Sequence, residues 1–263
     1  MNDLNVTLVQ PDIIWEDHKR NANHLEELLG DLGKTDLIML PEMFSTGFTM
    51  DPRKVALEDG GEMRDWMIGL ARDMNCWVIG SLCVSDSGRF FNRLFAVSPN
   101  GVELRADKRH LFSLAGEEKV YSPGEVRQTV TIKGWTILPL VCYDLRFPVW
   151  SRNDLGYDLL LYVANWPNRR IGAWDTLLPA RAIENQSFVA AVNRVGLDGN
   201  QVHHSGHSSA FDPLGNRIAI LKDDSEEVST VALSGEELKK TRERFRFLND
   251  RDEFSIEGVQ GSR

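Results

Sequence analysis

The stretch GWTILPLVCYDLRFPVWSRNDLGYDLLLYVANWP, Gly134 to Pro167, decides how this chain is read. Thr136–Val141 is an apolar, strand-like run. It delivers Cys142, and the pattern then turns at once into Tyr143-Asp144-Leu145-Arg146-Phe147-Pro148. A second run, Asp158–Asn165, has no polar alternation, as expected of a strand buried on both faces. Between them Pro148–Leu155 reads as a short helix. A thiol where a buried strand breaks off has two readings, core filler or nucleophile. The position favours neither alone, although a sharp strand-to-helix turn exposes a side chain and leaves backbone N–H groups free, that of Tyr143 among them.

Outward from that stretch, strand-like and helix-like segments alternate. Leu4–Gln10, Thr35–Glu42, Cys76–Val84, Thr129–Ile132, Ser187–Val195 and Glu227–Leu233 read as strands. Phe90–Lys108 reads as two strands around the turn Pro99-Asn100-Gly101, and Ser208–Leu221 as a hairpin around Asp212-Pro213-Leu214-Gly215-Asn216. His18–Leu32 is helical with Asp17 as its N-cap, and Glu62–Met74 has helical spacing. Ala173–Gln186 is helical despite Pro179, which should bend or tighten it. Ser234 caps a helix from Gly235, with Glu237 at capping-box spacing. No Gly/Ser-rich or Pro-rich linker divides the chain. One domain over residues 1–247 is therefore expected, built from mixed sheets covered by helices. Residues 248–263 form a polar, glycine-containing tail, either flexible or packed on a partner subunit.

The bulk numbers exclude several function classes. The 263 residues are 42% hydrophobic and 26% charged, ordinary values for a soluble globular protein. Net charge is −9, from 30 basic and 39 acidic residues, with no Lys/Arg stripe, so nucleic acid is not an expected partner. The N-terminus MNDLNVTLVQP is unlike a signal peptide, and no uninterrupted apolar run reaches the roughly 18 residues of a membrane span. The three cysteines, Cys76, Cys83 and Cys142, have no CxxC spacing, which suggests neither a disulfide framework nor a thiolate zinc site. A reducing, cytoplasmic setting fits a free thiol. The run HHSGHSSAF, His203–Phe211, lacks a partner ligand cluster, so no metal and no cofactor are expected. It reads instead as a glycine-containing loop beside a site.

Several residues at strand ends carry chemistry. Glu42 follows LIMLP; a carboxylate there is partly desolvated and suited to proton transfer, or else it is a solvated loop residue. Lys108 begins the run Lys108-Arg109-His110 in an acidic protein; it is a donor to a developing oxyanion or part of a solvated basic turn. If Cys142 is a nucleophile it needs activation, since a free thiol near pKa 8.5 is only a few per cent thiolate at pH 7. A nearby ammonium would favour thiolate and a carboxylate could take the proton. Arg169 and Arg170, after NWPN, are strand-end cations fit for a substrate carboxylate, or solvated loop residues. Trp166, Trp174 and Tyr143 read as wall or core aromatics.

Taken in order, LIMLPE, DKRHLF and LVCYDLRFP resemble the nitrilase superfamily of carbon–nitrogen hydrolases, over Leu4 to about Phe245. The finer pattern, DLRFPVWSRN with ANWPNRR and ARAIENQ, is similar to the omega-amidase branch. The resemblance implies a four-layer αββα sandwich of two mixed sheets flanked by helices, usually assembled as a homodimer or larger homo-oligomer. It implies a Glu-Lys-Cys triad of Glu42, Lys108 and Cys142, with a second glutamate on Glu117 or the adjacent Glu118. It also implies a hydrolase that cleaves the terminal amide of 2-oxoglutaramate or 2-oxosuccinamate, through a thioester and without a cofactor. Lys108 and the Tyr143 amide would hold the oxyanion. For the far carboxylate, Arg170 is placed slightly ahead of Arg169, with Trp166 beside them; Arg146 is a third cation that could instead brace the turn after Cys142. A nitrilase or carbamoylase acting on another small substrate is the alternative on the same machinery.

Overall fold

The structure, a computed structural model, describes residues 1–256. The chain runs through β1 (Leu4–Gln10), α1 (His18–Leu29), β2 (Leu37–Met39), α2 (Pro52–Val55), β3 (Leu57–Glu58), α3 (Gly61–Met74), β4 (Trp77–Asp86), β5 (Arg89–Ser98) and β6 (Gly101–Asp107). It continues through β7 (Val130–Ile132), β8 (Trp135–Val141), α4 (Pro148–Ser151), β9 (Leu159–Ala164), α5 (Ile171–Asn185), β10 (Phe188–Asn193), β11 (Val195–Leu197), β12 (His203–Ser205), β13 (Ser209–Phe211), β14 (Arg217–Ile220), β15 (Glu227–Leu233) and α6 (Gly235–Phe245).

Two mixed sheets carry the fold. One has the order β15-β1-β2-β4-β5-β6, with β3 against β4; the other has the order β14-β13-β10-β9-β8-β7. The period-2 alternation of strand side chains makes the layers. In β2, Leu37 and Met39 face the second sheet, while Ile38 faces the helical side. Between the sheets, Leu4, Val6 and Leu8 of β1 pack in one cluster with Ile137 and Val141 of β8 and Leu159 and Leu161 of β9, which share one face of the second sheet. On the outer side of the first sheet, Val78 and Leu82 meet Leu25 and Leu29 of α1 and Met63 and Met67 of α3. Trp174, Leu178 and Ala182 of α5 join the core on the second sheet. This is the expected four-layer αββα sandwich.

Local signals mostly hold. Asp17 caps α1 by accepting from Arg20 N–H, and Ser234 caps α6 by accepting from Glu237 N–H. Helix α5 passes through Pro179. The strand expected over Thr35–Glu42 pairs only at Leu37–Met39, because the chain leaves the sheet after Leu40 donates its N–H to Ile79 O. The expected loop at His203–Phe211 is part strand: His203–Ser205 pairs antiparallel with Val195–Leu197, and Ser209–Phe211 lies in the second sheet. Phe247–Asp250 form a 3-10 turn, and Ile256 packs against the core. The rest of the tail, 257–263, lies outside the described residues.

The topology places one rim. Strands β1, β2 and β4 are parallel in the first sheet, and β8, β9 and β10 in the second. Strand β6 is antiparallel to β5, which is antiparallel to β4, so β6 also ends at the rim where β4 ends. Residues just past β2, β6, β8 and β9 are Glu42, Lys108, Cys142 and Asn165. Open α/β sheets bind ligands at such carboxyl ends.

Gly80 in β4 shows how closely that rim is packed. A Cβ there would lie 2.9 Å from the Leu40 Cβ and 3.0 Å from the Phe44 ring, on either side of Glu42 in sequence. Gly80→Ala should therefore cost about 1–3 kcal/mol of stability, read as a lower urea midpoint, and should lower turnover by displacing Glu42. An unchanged midpoint with full turnover would contradict this packing.

Candidate active site

Glu42, Lys108 and Glu117 are buried together with almost no exposure. Lys108 Nζ donates to Glu42 Oε1 at 2.9 Å and to both Glu117 oxygens at 3.0 and 2.9 Å. An ammonium has three protons, so all are committed. Burial pushes the Lys108 ammonium down, but the Glu117 and Glu42 carboxylates more than offset it and hold the group above its ordinary value. Burial raises the Glu117 carboxyl above its usual range, against the pull of Lys108. Of the two adjacent glutamates, Glu117 joins the cluster, and its Oε2 also accepts the Phe112 N–H at 2.6 Å; Glu118 is exposed.

Glu42 is held by more than the lysine. Oε1 accepts Asn92 Nδ2 at 2.7 Å, and Oε2 accepts the Asn165 N–H at 2.8 Å. The Asn165 side chain donates to the Glu42 backbone carbonyl. Neither asparagine stood out in sequence.

Cys142 opens a 3-10 turn with φ of 45°, a left-handed conformation that a non-glycine residue seldom adopts. The turn is braced from two sides. Asp144 accepts from Val141 N–H, His110 N–H and His110 Nδ1, and Arg181 donates to Leu145 O through Nε and Nη2. The brace is thus Arg181 rather than Arg146. As the second residue of the turn, Tyr143 has an amide N–H ahead of the first intrahelical bond, free for a ligand. Cys142 keeps 9% exposure, onto the cavity it lines. The Lys108 ammonium favours the thiolate, as expected, but it is outweighed. Burial, then the Glu42 carboxylate, raises the thiol well above its ordinary value, and Lys108 only partly opposes them.

The cavity has a volume of about 610 Å³, with Glu42, Lys108, Cys142, Tyr143 and Asn165 in its lining. Arg146, Arg169, Arg170 and Trp166 line it as well. The Arg170 guanidinium lies 4.7 Å from the centre of the Phe112 ring, and that of Arg146 lies 5.0 Å from the centre of the Trp166 ring. Burial, then Arg169 and Arg146, lowers the Arg170 guanidinium, while the nearby Cys142 raises it. Arg170 and Arg146 are half-buried; Arg169 is exposed. The hairpin missed in sequence adds Asp198, Asn200 and His204 to the lining. Burial, then Arg194, pushes His204 down to about 4, so it stays neutral. Of the basic run, only Lys108 enters the site; Arg109 bonds Gly124 O, and His110 stacks on Phe147.

The sequence of the carbon–nitrogen hydrolase family matches residues 5–243. An omega-amidase, YafV, of Yersinia enterocolitica is 45% identical over 97% of this chain and 100% of its own. A 2-oxoglutaramate amidase of Bacillus subtilis is 32% identical over 81% of this chain and 85% of its own. The crystal structure of a CN-hydrolase superfamily protein of Xanthomonas campestris, which carries an arsenic adduct in its active site, superposes with a TM-score of 0.95 at 42% identity, covering 97% of this chain and 100% of that one.

A raised thiol has a measurable consequence. The rate at which iodoacetamide alkylates Cys142 should keep climbing from pH 6 to pH 9, because the thiolate fraction grows about tenfold per pH unit below the pKa. A plateau already reached below pH 7 would show a preformed thiolate.

Proposed function

This chain belongs to the carbon–nitrogen hydrolase family, and from that membership we propose that it is a cysteine-dependent omega-amidase. It is an amide-cleaving hydrolase; the proposal adds the residues and the substrate. The substrates are short dicarboxylic acid monoamides, 2-oxoglutaramate and 2-oxosuccinamate, cleaved to the acid and ammonia. The names of the two relatives support this choice.

Glu42 takes the Cys142 proton as sulfur attacks the amide carbon. The C=O bond opens to an oxyanion, which the Tyr143 N–H and Lys108 stabilise. Lys108 grips Glu117 through two contacts, so one proton can swing to the oxyanion while the ion pair persists. Each such donor is worth roughly 100- to 1000-fold in rate. The C–N bond breaks as Glu42 returns the proton to nitrogen, and ammonia leaves a thioester on Cys142. Water then attacks, giving its proton to Glu42, and the acid departs as sulfur recovers a proton. A thiol that is protonated at rest suits this order, since ionisation waits for a bound carbonyl.

One observation carries the substrate class. Arg93, Arg127, Arg194 and Arg242 each meet a carboxylate. Among the described residues Arg146, Arg169 and Arg170 meet none, yet all three line the cavity above the thiol. Unpaired guanidinium groups against a −9 background suit an anionic ligand, and a guanidinium pairs a carboxylate in bidentate fashion. Arg170, half-buried and electrostatically coupled to Cys142, is the preferred clamp.

Ammonia release from 2-oxoglutaramate and 2-oxosuccinamate, measured beside a nitrile and a carbamoyl amino acid, tests the reading; preference for either of the latter overturns it. Cys142→Ala should abolish release, and full activity in that variant would end the cysteine mechanism. Arg170→Ala should raise KM for the acidic monoamides by about tenfold or more and leave a neutral amide nearly unaffected. Equal effects on both would remove the clamp.

A further inference from the structure

We propose that Asn92 is a positioning residue that selects which oxygen of Glu42 takes the proton, an inference that rests on Glu42 being the base. A carboxylate offers about four lone-pair positions, two on each oxygen. Glu42 Oε1 already accepts Asn92 Nδ2 at 2.7 Å and Lys108 Nζ at 2.9 Å, so both of its positions are filled. Oε2 accepts only the Asn165 N–H, at 2.8 Å. Among the described residues one position therefore stays open, on Oε2. The Sγ–H bond of Cys142 breaks, and its proton goes there.

The orientation of the Asn92 amide is fixed by its surroundings. Ser81 Oγ accepts the Met43 N–H at 2.9 Å, and its single proton goes to Asn92 Oδ1 at 2.8 Å. That leaves Nδ2 facing Glu42. The reverse orientation would set an amide oxygen against a carboxylate oxygen in a fully buried place. Asn92 O also accepts the Lys108 N–H at 2.9 Å, so one residue sets the backbone of the lysine and the side chain of the acid. The arrangement matters most when Lys108 turns toward the oxyanion. Glu42 then keeps Asn92 on Oε1 and Asn165 on Oε2, and does not rotate as its proton arrives.

The test is the pH profile of kcat/KM in Asn92→Leu, which keeps the shape and removes the donor. An N–H donor favours the ionised carboxylate; losing it makes protonation easier, so the acidic limb moves to higher pH. We expect a shift of about one pH unit or more and a fall in kcat of about tenfold to a hundredfold, with KM little changed. Where turnover in Asn92→Leu is too slow, Ser81→Ala serves, with a smaller shift of the same sign, and iodoacetamide inactivation of Cys142 follows the limb without turnover. A uniform loss of rate with the acidic limb unmoved in both variants would make Asn92 mere packing and overturn the assignment. Glu42→Gln separates the two readings: an acidic limb retained there refutes Glu42 as the base, whereas a limb lost there but unmoved in Asn92→Leu refutes Asn92 alone.

Discussion

The structure turns on a single buried ammonium held between two buried carboxylates. Taking Lys108, Glu42 and Glu117 out of water carries a desolvation penalty of several kcal/mol per ion, and the attraction among them repays it only when geometry is good and the remaining lone pairs are filled. Here all but one position on each carboxylate are filled, by Asn92, by the backbone amides of Phe112 and Asn165, and by three lysine protons. Removing any one charge would strand the others, so the rim of the sandwich has one workable arrangement. The polar cluster also links the sheets, because Glu42 and Lys108 follow strands of the first while Asn165 and Cys142 follow strands of the second.

That cluster explains the chemistry assigned to the sulfur. Burial, then Glu42, favours the neutral thiol more than Lys108 favours the thiolate. On the proposed mechanism the nucleophile would therefore be quiet until a carbonyl arrives to receive the electrons. The strained turn at Cys142 is held by Asp144 and Arg181, neither of which lines the cavity. On the proposed function the guanidinium wall is separate machinery: it would select an anion, while the buried cluster would move the proton.

Much of this was legible from residue order. Apolar runs ending in Glu42, Lys108 and Cys142 were strands ending at one rim, and the continuous run of β9 marked a strand buried on both faces, while the four layers came from the family resemblance. The caps at Asp17 and Ser234 followed from local rules. The second shell was not legible, for a physical reason. Asn92 sits within a strand and Asn165 just beyond one, and what they do depends on partners 50 and 123 residues away. The state of the thiol likewise depends on which charges are already paired, and spacing does not record pairing. The β11–β12 hairpin was hidden because its strands are three residues each, one interrupted by glycine and the other all polar.

The most direct measurement is the mass of acid-quenched enzyme after mixing with excess 2-oxoglutaramate. The account predicts an acyl adduct, less ammonia, on the peptide that contains Cys142, and its disappearance as substrate is exhausted. Turnover with no adduct at any time, or an adduct on a peptide without Cys142, would contradict it.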